Sequence, residues 1–192
     1  MGAPVCSRSV EALRAMDEEE QWLQEDDCKS RPFRAVRVRE AIELFPIPEG
    51  GLITFGGFET MTALVEARLA YVNGLYFCTI LSALAVLEHH FAGILYATGL
   101  ESAKRMNFED LLKRAKKDGL LKPEEESDFD EFRHLRNAYA HFREPSHELS
   151  SLRRSIKHDQ PFDDLLQRDA QTALALLGRH FGQTPFPEVR LY

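Results

Sequence analysis

The run Leu69-Ala70-Tyr71-Val72-Asn73-Gly74-Leu75-Tyr76-Phe77-Cys78-Thr79-Ile80-Leu81-Ser82-Ala83-Leu84-Ala85-Val86-Leu87 lies between Arg68 and Glu88 and carries no charge. A stretch of about twenty apolar residues spans a bilayer, so reading this run decides between a membrane helix and the centre of a helical bundle. Asn73, Gly74, Thr79 and Ser82 dilute it, and no second run of the kind accompanies it. The central helix of a bundle is apolar nearly all round, and a mainly α chain without a membrane partner is the expectation.

Outward from that run, the bulk of the chain is unexceptional. Its 192 residues suit one domain, or one domain with an extension, and need no disulfide or metal staple. The net charge of −7, from 24 basic and 31 acidic residues, argues against a general nucleic-acid coat protein but leaves room for a local basic groove. Cys6, Cys28 and Cys78 are widely spaced, with no C-x-x-C pair. They read as reduced thiols of a cytoplasmic protein rather than a zinc site. Residues 1–16 lack the apolar core of a signal peptide. Cys6 stands where myristoylation after Gly2 prefers Ser or Thr.

Three segments follow. Residues 1–57 read as an acidic helix from Val10 to Cys28, with Asp17-Glu18-Glu19-Glu20 as a solvated face, followed by an extended arm or a small β element. The β expectation rests on Phe33-Arg34-Ala35-Val36-Arg37-Val38-Arg39, which alternates apolar and basic, and on Leu52 to Phe55 beyond the breaks at Pro46, Pro48, Gly50 and Gly51. Residues 58–182 read as a helical bundle. Phe58 to about Thr98 is one long helix. Asn107 caps Phe108 to Asp118, and Gly119 stops that helix. Pro123 opens a helix with an acidic first turn that runs to Pro145. A polar, loop-like stretch from Ser146 to His158, with room for one short helix, precedes a last amphipathic helix from Asp163 to Phe181. Arg153, Arg154, Lys157 and His158 of that stretch read as a solvated loop, with contact to RNA backbone as the alternative. Residues 183–192, with Pro185 and Pro187, form an irregular tail.

The chemistry concentrates in Arg133-His134-Leu135-Arg136-Asn137-Ala138-Tyr139-Ala140-His141-Phe142-Arg143. Phe129, Phe132, Arg136 and Tyr139 share one helical stripe, which sets Arg136 on an inward face. On the long helix, Phe77, Leu81, Leu84, Glu88, Phe91 and Leu95 follow a 4-3-4-3-4 spacing, so Glu88 lies on an apolar stripe and needs a partner. Asn137 and His141, four apart, align. Arg136 stands about 140° around the helix from His141, so the two converge only at a loosened helix end, through a long reach of the arginine, or with a second chain. An imidazole ordinarily titrates near neutrality and moves protons, while a guanidinium keeps its charge and grips phosphate. With the ribose 2′-hydroxyl as internal nucleophile, such a set cleaves RNA without metal. Tyr139 adds a donor or stacking surface, and Arg133 and Arg143 flank the site as substrate-binding cations. Each residue also has a plainer role, in capping a helix end or answering its dipole.

The R-N-x-x-x-H pattern of Arg136, Asn137 and His141 resembles the signature of HEPN domains, all-α domains of which many are metal-independent ribonucleases. The order of elements is similar too: Tyr71, Gly74, Tyr76 and Glu88 on a long first helix, a second helix from Phe108 to Lys117, Gly119-Leu120-Leu121, the motif helix and a closing helix. The resemblance covers residues 58–182 and implies an antiparallel HEPN-like bundle, and the small N-terminal helix and β-hairpin-like extension read from residues 1–57 lie outside it. It implies that Arg136 and His141 are the catalytic pair, that Asn137 assists, and that Glu88 lies nearby. It further implies RNA as substrate, no cofactor or metal, a homodimer, and a role in stress or defence under an antitoxin or other regulatory protein. Arg143 stands where some toxin-like members carry a tyrosine that a partner modifies. Some domains of this fold do no catalysis, so a module that binds nucleotide, RNA or a protein is the alternative.

Overall fold

The computed structural model describes residues 17–47, 52–121 and 123–182, with the backbone alone at Arg136. The helix start at 10–16, the breaks at 48–51, the tail after residue 182 and the inward face of the Arg136 side chain lie outside the described residues. Seven α-helices are described: α1 (Glu18–Leu44), α2 (Gly57–Val72), α3 (Tyr76–Ala97), α4 (Phe108–Lys117), α5 (Pro123–Ala140), α6 (Ser151–His158) and α7 (Phe162–Gly182). A 3-10 turn, Glu101–Arg105, joins α3 to α4.

The charge-free run supplies the centre of the bundle. Helix α3 packs against α2, α4, α5 and α7. It buries Ile80, Ala83, Leu84, Val86, Leu87, Phe91 and Leu95, residues on more than one side of the helix. By length and composition α3 passes for a membrane span, as the core helix of a bundle does, and half of its apolar stretch is buried here. Aromatic edges lock it to the motif helix: Phe91 meets Phe129 with ring centres 5.3 Å apart, and Phe77 meets Tyr139 at 5.9 Å. Those two pairs make α3 and α5 antiparallel. Each fully buried Leu or Phe stabilises the fold by about 1.5–3 kcal/mol, so this interface outweighs any single polar contact.

Local signals hold where they concern caps. The Asn107 side chain accepts from the Asp110 N–H, Gly119 takes a positive φ of 71°, and Pro123 is the first residue of α5.

Three expectations are corrected. The β element is absent among the described residues. Phe33 to Arg39 continue α1, and Leu52 to Thr54 take no regular structure. The strand-like alternation yields because Ala41 and Phe45 anchor α1 against the bundle, and Phe55 has a different partner: its N–H donates to His90 Nδ1 at 3.2 Å. The long first helix is two helices. Asn73, Gly74 and Leu75 break it, and Gly74 turns the chain at φ 76°. The motif helix ends at Ala140, before the Pro145 stop. The loop after it contains α6, capped by the Ser150 hydroxyl accepting from the Arg153 N–H.

Candidate functional site

The early end of α5 is what reshapes the motif. His141 is the first residue beyond the helix and is exposed, so its side chain is released from the helical bearing that set it apart from Arg136. Asn137 lies one turn earlier and is half-buried. The Arg143 Nε donates to the Asn137 carbonyl at 3.4 Å and folds the chain back on the helix end. Asn137, His141 and Arg143 thus all lie at the C-terminal end of α5, with Arg143 bonded to the Asn137 carbonyl and His141 exposed between them in sequence.

Tyr139, two residues before His141, belongs to a buried polar network. The Tyr139 hydroxyl donates to Asp169 Oδ2 at 2.7 Å. Arg154 grips the same carboxylate with both terminal nitrogens, at 2.9 Å to Oδ1 and 2.6 Å to Oδ2. Asp169 is only 4% exposed, and a carboxylate so placed is tolerable only when its oxygens are paired in this way. Burial first, then donation to Asp169, raises the Tyr139 phenol far above its ordinary range, so it stays a proton donor. Burial alone would lower the Arg154 guanidinium, but the hydrogen bond and charge of Asp169 outweigh it. Tyr139 is accordingly committed to α7 and to the ring of Phe77, and it offers no open stacking surface.

Two of the expected site residues stand elsewhere in a single chain. Arg133 turns toward α4, with Nη1 3.5 Å from a Glu109 oxygen and Nε 3.4 Å from Asp130. Glu88 is half-buried and lines a different groove, with His89, Tyr96, Lys104 and Asn107. Phe77 marks the level of Tyr139 on α3, so Glu88 lies roughly 16 Å further along that helix, away from His141. Arg136 belongs to the last two turns of α5 by its backbone. His89 is exposed and His90 buried, and among the described residues no three His, Cys, Asp or Glu side chains gather as metal ligands.

Sequence reasoning missed Asp169 and, having set Arg154 in a solvated or RNA-facing loop, missed its burial against that carboxylate. Asp169 carries the same signal that singled out Glu88, because 165, 169, 173 and 177 recur at helical spacing on the apolar stripe of α7. Arg154 gave none, since its helix is short and polar and its burial depends on α7. Compared with protein-family models, with curated proteins and with solved structures, the chain matches none.

Proposed function

We propose that this protein is a metal-independent endoribonuclease of the HEPN type. In this reading the ribose 2′-hydroxyl gives its proton to a base and attacks the adjacent phosphorus. The new O2′–P bond forms as the P–O5′ bond breaks, and the departing 5′-oxygen takes up a proton. His141 carries the proton work, and Arg136 balances the charge that builds on the phosphate. The products are a 2′,3′-cyclic phosphate and a 5′-hydroxyl, with no water consumed. The observation that carries the reading is that α5 ends at Ala140 and leaves His141 exposed just beyond it, two residues after Tyr139, which the buried network with Asp169 and Arg154 holds in place. A proton-transfer group needs both solvent or substrate access and a rigid base. Because Glu88 and Arg133 stand away from His141, completion of the site falls to Arg136 and to a second copy of the chain. A stress or defence setting and an antitoxin-like regulator follow from the resemblance.

The test is cleavage of a mixed RNA pool in the presence of chelator, by wild type, His141→Ala and Arg136→Ala. The expected outcome is cyclic-phosphate ends from wild type and a loss of at least about 100-fold in His141→Ala. Full activity in His141→Ala overturns the mechanism. An inert wild type that still binds RNA or nucleotide returns the chain to the non-catalytic alternative.

A further inference from the structure

Helices α5, α6 and α7 enclose an open groove of about 420 Å³ beside the motif. Leu135, Ala138 and Leu149 give it an apolar lining, His134, His158 and Arg168 bring cationic or protonatable groups to it, and Glu131 adds an exposed carboxylate. Its deep acid, Asp169, is neutralised from within by Arg154 and Tyr139. Arg168 reaches Asp169 only at 3.9 Å, beyond hydrogen-bond distance, so its donors are not committed to that carboxylate. Helix α6, Ser151–His158, contains Arg153, Arg154, Lys157 and His158 and no acidic residue. In a chain of net charge −7 this is a local reversal of sign.

The groove also points somewhere. His134 and Ala138 border the groove along α5, and the helix ends at Ala140, one residue before His141, so that edge of the groove leads to the end of α5 where His141 stands. The other side of α5, through Arg133, faces α4 instead.

We propose that the groove between α5, α6 and α7 is the track that leads a single-stranded RNA to His141, its phosphates held by Arg168 and His158 and a base laid on Leu135 and Ala138. This deepens the ribonuclease reading and rests on it. Cations beside an apolar lining suit the alternation of phosphate and base, and a groove of this size takes unstacked nucleotides rather than a duplex. An acidic peptide would use the cations but not the lining.

The experiment measures binding of a short, labelled, 2′-O-methylated single strand, whose blocked 2′-oxygen cannot act as nucleophile, across a salt series. Arg168→Glu and His158→Ala are compared with wild type and with Lys113→Glu on α4. The expected result is about tenfold weaker binding in Arg168→Glu, with the log–log salt slope shallower by about 0.7 for each phosphate that is no longer neutralised. Lys113→Glu should bind within about twofold of wild type, because Lys113 lies on α4 and not in the groove. Groove variants that melt like wild type and bind the strand equally well overturn the proposal, as does a wild type that does not bind. Cleavage of unmodified RNA is followed in parallel. Binding that depends on Arg168 without any cleavage sinks the ribonuclease and keeps the groove; cleavage untouched by Arg168→Glu does the reverse.

Discussion

Asp169 and His90 are both buried and ionisable, and the protein settles them in different ways. Asp169 is held between the Arg154 guanidinium and the Tyr139 hydroxyl. Asp169→Ala leaves the Arg154 guanidinium buried without its partner, and urea unfolding should show a loss of about 3–5 kcal/mol. Tyr139→Phe removes one hydrogen bond from the same carboxylate and should cost about 1–3 kcal/mol. His90 gives up its charge. It is 3% exposed, its Nδ1 accepts the Phe55 N–H, and its ring lies 5.4 Å from that of His180 and 4.8 Å from that of Phe181. Burial, and then the neighbouring His180, depress it to about 3. The folded state therefore binds fewer protons than the unfolded chain between pH 6.5 and 3, and the stability from His90 is full above pH 6.5 and lost as pH falls through that window. The slope reaches about 1.4 kcal/mol per pH unit. Urea midpoints measured from about pH 8 to about pH 5 should fall less steeply in His90→Asn once the pH drops below the ordinary histidine range, and an unchanged profile counts against this assignment. Asp169 and Glu88 were both visible in the sequence as carboxylates on apolar stripes, but the partner of Asp169 was not, because Arg154 reaches it only once α6 is laid on α7.

At the scale of elements, backbones approach one another at glycines. A Cβ on Gly93 of α3 would stand 2.4 Å from the Gly56 nitrogen, and one on Gly178 of α7 would stand 2.1 Å from the Leu44 carbonyl oxygen. Gly93→Ala must push α3 from the segment that leads into α2. We expect a loss of at least about 1–3 kcal/mol in thermal or urea unfolding, the range for overpacking a tight interior, whereas exposed Gly→Ala changes in a helix stabilise. Asn107→Ala removes the cap of α4 and should cost about 1 kcal/mol. Caps were legible in the sequence because each is decided within four residues. The segment from Phe33 to Arg39 was not, since its alternation of apolar and basic residues fits a strand. It became helix because α1 pairs with α2, where the Tyr71 hydroxyl donates to Glu40 at 2.6 Å and the Arg68 guanidinium covers the Phe45 ring at 5.7 Å. Strand preference depends on a neighbouring strand to pair with, and Leu52 to Phe55 lie against α3 instead.

At the scale of the whole molecule, α3 is surrounded and α1 is not. The buried residue within α1 is Ala41, near its C-terminal end, while Trp22, Leu23, Phe33 and Val36 are exposed. Hydrogen exchange should therefore find the amides of Tyr76 to Ala97 the slowest in the chain and those from Glu18 to about Val36 among the fastest of the helices. Equal protection of the two would show that something covers α1 in solution. The mainly α architecture, the central place of the charge-free run and the caps of its helices were determined by the sequence itself, because hydrophobic period and capping chemistry act over one or two turns. The shape of the motif was decided only by tertiary structure. Where α5 ends, which way Arg133 turns, how far Glu88 stands from His141 and what holds Asp169 depend on helices distant in sequence packing together. No local spacing encodes such contacts, because the free energy that sets them is realised only when α3, α5, α6 and α7 meet.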